Sequence, residues 1–229
     1  MTFSKKVIVA IDLNNFKEIE ELIEKTKAHV FGIKLGYEFF LNFGIEGYKK
    51  IQETNINIFL DLKLHDIPNT VKNGLKAIMN LSPYFTTVHI SGGDEMLKAA
   101  ISHKGKTKLL GVTALTHLDN KQINKYYKRN DAKVLVEEYI SFAIENQLDG
   151  IVCSPHEIKL AKELSDNKLI IVTPGIRMTK DNYNDQKRVM GPKEAINLGA
   201  NYLVIGRPIT SSNNPTEAIK NINLEIEKE

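Results

Sequence analysis

Asp61 and Lys63 stand two positions apart in Phe59-Leu60-Asp61-Leu62-Lys63-Leu64-His65-Asp66, just past the apolar run Ile56–Leu60. In an extended strand, residues i and i+2 project to one face, so this spacing sets an ammonium beside a carboxylate. Asp66 follows in the next loop, close enough to turn back toward that face or to reach a neighbouring subunit. Lys34 and Asp12 close two further apolar runs, which makes a cluster of two ammonium groups and three carboxylates. A Lys between carboxylates keeps its proton, because opposite charges favour the ionised form. A charged Lys held in that way is a proton donor suited to a very basic carbanion. An ion-pair network that merely plugs a barrel mouth would account for a lone Asp–Lys pair. Five charges gathered at three successive strand ends require more than that.

A second group suits an anion. Gly206-Arg207-Pro208 ends another apolar run and opens toward a helix. A glycine N–H and a guanidinium match the charge and geometry of a phosphate. Gln186, in Asp185-Gln186-Lys187-Arg188, lies on a long connection and is a candidate extra donor from a closing lid. Two more polar run ends complete the inventory: Thr116 in Val112-Thr113-Ala114-Leu115-Thr116, and Arg177 in Thr173-Pro174-Gly175-Ile176-Arg177.

Positioning these residues requires strands. Eight short, β-branched apolar runs recur: Val7–Ile11, Val30–Lys34, Ile56–Leu60, Thr86–Ile90, Lys108–Thr113, Gly150–Ser154, Leu169–Thr173 and Tyr202–Gly206. Near-continuous apolar character is what a strand covered on both faces shows. Segments with helical spacing lie between them: Phe16–Lys27, Tyr37–Glu53, Ile67–Leu81, Asp94–Ser102, Ala132–Gln147, His156–Ser165 and Pro192–Gly199, with Thr216–Ile226 as a closing helix. Eight strand–helix alternations predict a parallel sheet closed into a (β/α)8 TIM barrel, a single domain over residues 1–229. The active face of such a barrel is built from the loops that follow the strands. Two of those connections, Thr116–Asp131 and Pro174–Gly191, are unusually long, as functional loops are.

Composition narrows the classes. The 229 residues are 42% hydrophobic and 26% charged, an ordinary globular balance. The net charge of +3 comes from Lys interspersed with Glu and Asp, so no basic stripe for nucleic acid is expected. A single cysteine, Cys153, cannot form a disulfide within the chain and fits a reducing compartment. It lies in an apolar run and reads as a buried structural thiol. His65 and His89 read as supporting histidines. The N-terminus lacks the apolar region of a signal peptide, and no apolar run approaches the ~18 residues of a membrane span. The expected location is cytoplasmic, with no membrane partner. No GxGxxG, P-loop or pyridoxal-type Lys context is found, so no cofactor is expected.

Six motifs in order resemble the orotidine 5'-phosphate decarboxylase family over essentially the whole chain. They are Ala10-Ile11-Asp12, Ile33-Lys34-Leu35-Gly36, Asp61-x-Lys63-x-x-Asp66, Val112–Thr116, Pro174–Arg177 and Ile205-Gly206-Arg207-Pro208. The resemblance implies metal-free loss of CO2 from orotidine 5'-monophosphate (OMP) to give uridine 5'-monophosphate (UMP). It implies that Lys63 protonates C6, that Asp61 lies by the departing carboxylate, and that Asp66 enters from the partner subunit of a homodimer. Lys34 would link the charged array and, with Asp12, hold the ribose hydroxyls. Asn69 and Thr70 would border the shared site, Thr70 reaching the ribose in the partner's site. Thr116 would meet the pyrimidine edge. Arg207, Gln186 and the Gly206 amide would hold the phosphate, and Arg177 would line the loop covering it. Two rivals share the scaffold. Ketogulonate-phosphate decarboxylases and hexulose-phosphate synthases resemble it too, but use Mg2+ held partly by a Glu where this chain has Lys34. The other rival is a catalytically dead barrel that binds a nucleotide as a regulator.

Overall fold

The computed structural model describes residues 5–177 and 190–228. Eight parallel strands close into a barrel in chain order: β1 (Val7–Ile11), β2 (Gly32–Leu35), β3 (Asn57–Leu64), β4 (Phe85–His89), β5 (Lys108–Val112), β6 (Gly150–Val152), β7 (Ile170–Thr173) and β8 (Tyr202–Ile205). The expected barrel is therefore the observed one, with each strand within a few residues of its apolar run. The largest difference is β3, which continues through Asp61 and Lys63 to Leu64 instead of stopping at Leu60.

The alternation of each strand divides the core in two. Ile8, Ala10, Phe59, Phe85, Leu110, Val172 and Val204 point inward and fill the barrel. Their neighbours Val7, Val9, Ile11, Ile33, Leu35 and Leu60 point outward, under the helices. Phe31 closes the N-terminal end, its ring 5.0 Å from Tyr84 and 4.2 Å from Tyr202. That end is packed by aromatics, and the charged side chains of Lys34 and Asp61 gather toward the C-terminal mouth.

The helices follow from their caps and apolar stripes. α1 (Phe16–Thr26) starts where the Asn15 side chain accepts from the Lys17 and Glu18 amides, and it buries Ile19, Leu22 and Ile23. α2 (Tyr37–Gln52) kinks at Gly44, whose φ of 58° suits glycine. α3 (Pro68–Met79) begins with Pro68, whose fixed φ favours a first helical turn and whose missing N–H costs nothing there. α4 (Asp94–Ile101) comes next.

The connection Thr116–Asp131 is not a bare loop but holds α5 (Asn120–Tyr127). Asp119 and Gln122 form a reciprocal capping box at its start, with bonds of 3.0 and 3.3 Å. Ile123 is its single buried residue, so there was no apolar stripe for periodicity to find. α6 (Ala132–Glu145), α7 (Ile158–Leu164), α8 (Pro192–Leu198), the short α9 (Arg207–Thr210) and α10 (Pro215–Glu227) complete the described helices. None of these is long and apolar enough to cross a membrane.

Two glycines let neighbouring strands approach. A Cβ at Gly32 would press on the Asn57 carbonyl, and one at Gly150 on the Ile170 carbonyl. Both obstacles are backbone, which cannot swing aside. Gly32→Ala is therefore expected to destabilise the protein by about 2 kcal/mol in urea unfolding, within the usual range for overpacking. A change below about 0.5 kcal/mol would mean that the β2–β3 edge can spread freely.

Candidate active site

The C-terminal mouth holds a cavity of about 500 Å³. Its charged wall comes from adjacent strands: Asp12 just after β1, Lys34 on β2, Asp61 and Lys63 on β3. Arg177, after β7, and Gly206 and Arg207, after β8, line another part of the rim, and Thr116 lines it after β5. Val112, Ala114, Val152 and Val204 supply apolar surface between these polar groups.

The distances define one connected array. Lys63 Nζ lies 2.7 Å from Asp61 Oδ2. Lys34 Nζ lies 3.8 Å from the same oxygen and 3.8 Å from Asp12 Oδ1. One carboxylate oxygen thus faces two ammonium groups, while Thr87 Oγ1 donates to the other oxygen, Asp61 Oδ1, at 2.9 Å. Asp61 is only 6% exposed. Burial by itself would raise its pKa, but the charges of Lys34 and Lys63, with hydrogen bonds from Lys63 and Thr87, outweigh that and hold it below the usual Asp value. Asp61 therefore stays ionised at neutral pH, and its contribution to stability is present above the ordinary Asp range and lost only as pH falls through the depressed value.

Lys63 reaches this position by an unusual backbone. The β3–β4 register pairs Leu60 with Thr86 but Leu64 with Val88, so extra β3 residues bulge opposite Thr87. Lys63 takes φ 46° within that bulge. The spacing of Asp61 and Lys63 therefore joins them through an irregular strand end and not through simple alternation. Bulges of this kind re-aim side chains beside sites.

Not every expected residue meets at this cavity. Four of the five clustered charges come together. Asp66 is not among the residues lining the cavity; it sits on an exposed turn and accepts from the Ile67 amide at 2.7 Å. Asn69 and Thr70, in the first turn of α3, are exposed as well. Asp66 and Thr70 border a separate groove with Tyr37, Lys63, His65 and His89. Gln186 lies outside the described residues. The sequence reading missed Thr87, because a Thr inside an apolar strand carries no motif. Its signal was positional: it shares the inward parity of Phe85 and His89 and stands one place past the Leu60–Thr86 pair.

His89 and His65 stack loosely, ring centroids 5.3 Å apart. Burial, then the charges of His65 and Lys63, lower the His89 pKa to about 4, with Asp61 pulling the other way. The ring is thus neutral at pH 7, in keeping with a supporting role. Because its folded pKa lies below the ordinary value, the unfolded chain takes up the proton first, and this site lowers stability as pH drops from about 6.5. An NMR titration of the His89 ring is expected to show a midpoint near 4. A midpoint of about 6 or higher would mean that the ring is solvated. Cys153 is 1% exposed at the cavity wall, and burial pushes its thiol well above the ordinary range. That is an inert structural cysteine.

A closed parallel barrel with its charged groups gathered at the strand C-termini belongs to the class of (β/α)8-barrel enzymes. Within that class, the chain belongs to the orotidine 5'-phosphate decarboxylase / HUMPS family, whose model matches residues 5–222. It is 40% identical to an orotidine 5'-phosphate decarboxylase of Dictyoglomus thermophilum, with 96% of this chain and 95% of that protein covered. It is 41% identical to the corresponding protein of Ehrlichia chaffeensis, with 99% of each covered. Its fold superposes on the crystal structure of orotidine 5'-phosphate decarboxylase from Lactobacillus acidophilus with a TM-score of 0.84 at 36% identity, covering 98% of this chain and 100% of that one.

Proposed function

We propose that this chain is a single-domain orotidine 5'-phosphate decarboxylase that converts OMP to UMP and CO2 in pyrimidine biosynthesis. The observation that carries the reading is the Lys34–Asp61–Lys63 array inside a cavity whose rim also bears Gly206 and Arg207. OMP has a phosphate at one end and a carboxylate on C6 of its pyrimidine at the other. The Arg207 guanidinium and the Gly206 amide hold the phosphate, with Gln186 as a further donor and Arg177 lining the covering loop. Asp12 and Lys34 hold the ribose hydroxyls, and Thr116 meets the pyrimidine edge. The substrate carboxylate then lies by Asp61. The C6–carboxylate bond breaks, CO2 leaves, and the electron pair stays in an sp2 orbital at C6. The Lys63 ammonium stabilises that charge as it develops and then transfers its proton to C6.

The rival with a divalent metal is less well supported. The Lys34 ammonium lies 3.8 Å from both Asp12 and Asp61, where a cation between those carboxylates would have to sit. A purely regulatory barrel has no need of an ammonium at 2.7 Å from a buried carboxylate. The decisive assay follows OMP absorbance with and without EDTA. Conversion that EDTA leaves unchanged supports the proposal; its loss in EDTA favours the metal-dependent relatives; UMP binding without turnover favours the regulator.

Arg207→Ala is expected to lower kcat/KM about 100-fold, mainly through KM, since the lost contact is a charge-assisted bond to a remote group. An unchanged kcat/KM would remove Arg207 from the phosphate site.

The site is proposed to be shared between two subunits of a homodimer. Asp66 and Thr70 are exposed beside their own cavity, and Tyr37, Leu41, Ile45 and Ile67 expose apolar surface on the neighbouring α2 and the turn before α3. Leu41 is 83% exposed. Burying such a patch against a second copy would bring the partner's Asp66, Asn69 and Thr70 toward the cavity. A cytoplasmic location, without nucleic-acid or membrane partners, fits the lone cysteine and the mixed surface charge.

A further inference from the structure

We infer that Thr87 is a positioning residue that locks both ends of Lys63, its backbone and its ammonium, through one hydroxyl. The inference rests on the decarboxylase reading above. Thr87 Oγ1 accepts from the Lys63 backbone N–H at 2.9 Å and donates to Asp61 Oδ1 at 2.9 Å. The other oxygen of Asp61 returns to Lys63 Nζ at 2.7 Å. The chain of bonds therefore leaves Lys63 at its amide and comes back to it at its ammonium. A hydroxyl has one proton to give and two lone pairs to accept with, and here the proton and one lone pair are both used.

The bulge explains why such a lock is needed. Where β3 leaves register between Leu60 and Leu64, the Lys63 amide loses the strand partner that regular pairing would provide. Lys63 also holds φ 46°, a conformation that residues with a Cβ adopt at a cost. Thr87 answers both conditions. It is 0% exposed, so no water competes for its hydroxyl. β-Branching leaves the side chain few rotamers on a strand, and its backbone is fixed in the β4–β5 ladder opposite Leu110. Its neighbour Thr86 faces the other way and donates to Leu60 O at 2.9 Å, pinning the last residue before the bulge. Regular β3–β4 pairing therefore breaks after Leu60 and Thr86, and the bulge is built on Thr87. Thr87 touches no part of the cavity surface; it acts through Lys63 and Asp61.

The phosphate and ribose contacts do not pass through Thr87, so its loss should separate kcat from binding. Thr87→Val keeps the shape and removes both bonds. It is expected to lower kcat about 100-fold, to leave KM and the UMP dissociation constant within about threefold, and to be rescued by Thr87→Ser to within about fivefold of the parent kcat. A merely structural role predicts otherwise: kcat near that of the parent, or UMP binding lost along with activity. Either result overturns the inference, as does a Thr87→Ser variant as slow as Thr87→Val. Should Thr87→Val fail to fold, Thr87→Ala is judged by the same three measurements. The unsubstituted protein, run alongside, keeps the two proposals apart. If it does not decarboxylate OMP, the functional reading fails; if it does and Thr87→Val matches it, only the role of Thr87 fails.

Discussion

Lys63→Ala is expected to lower kcat by at least about 10⁴-fold and to leave a folded protein that still binds UMP. Two contributions disappear together. One is the fixed positive charge beside the position where C6 gains its electron pair, and a single preorganised donor of that kind is worth about 10² to 10³. The other is the proton itself, because general acid transfer adds about 10² to 10⁴. The two need not multiply fully, since one group supplies both. The fold should tolerate the change. The Lys63 side chain is 28% exposed, and Asp61 keeps Lys34 at 3.8 Å and Thr87 at 2.9 Å as partners. Lys63→Arg separates the two contributions, because a guanidinium carries the charge but does not give up its proton at neutral pH. It is expected to bind UMP and to turn over faster than Lys63→Ala by what the charge contributes, while staying about 10² to 10⁴-fold slower than the parent for want of the proton. A Lys63→Ala variant with kcat within tenfold of the parent would remove Lys63 from the mechanism.

The fold was legible because its signals were redundant. Eight apolar runs and their intervening helices agree on one architecture, and a slip of two residues at any strand end changes nothing in the count. The site was legible where chemistry and strand ends coincide: Asp12, Lys34, Asp61, Lys63, Gly206 and Arg207 all line one cavity. What could not be read depends on geometry that carries no residue code. The bulge in β3 arises from pairing with β4, and nothing in Asp61-Leu62-Lys63-Leu64 announces a left-handed Lys. Thr87 was hidden for the same reason, since its importance follows from facing that bulge. α5 was hidden because its cap is local while its apolar stripe is a single residue, Ile123. Asp66 shows the opposite limit. Its motif spacing left it free to join the charged cluster or to reach a neighbouring subunit; the chain turns outward there, so in the proposed dimer its contribution would fall to the partner's site.

That dependence has a direct consequence for mixtures of inactive variants. Asp66→Ala is expected to lower kcat about 100-fold or more while leaving the subunit folded, because Asp66 is exposed and its bond to the Ile67 amide is local. Lys63→Ala is inactive for its own reason. If each active site joins Lys63 of one subunit to the partner's Asp66, a mixed dimer of the two variants contains one site with both residues intact and one with neither. Unfolding and refolding an equimolar mixture gives about half mixed dimers, each with one of its two sites working, hence about a quarter of the parent activity. Neither variant alone should exceed about 1%. Self-contained sites predict a different number: the mixture would show only the average of its two inactive components. The apolar patch offers the matching physical control. Leu41→Asp places a charge on surface that is 83% exposed in one chain but buried in the proposed dimer. It should weaken the association and, with it, the recovery of activity. A monomer that retained full activity would show that each cavity is complete within one chain, and the outward course of Asp66 would then be no more than the shape of a surface turn.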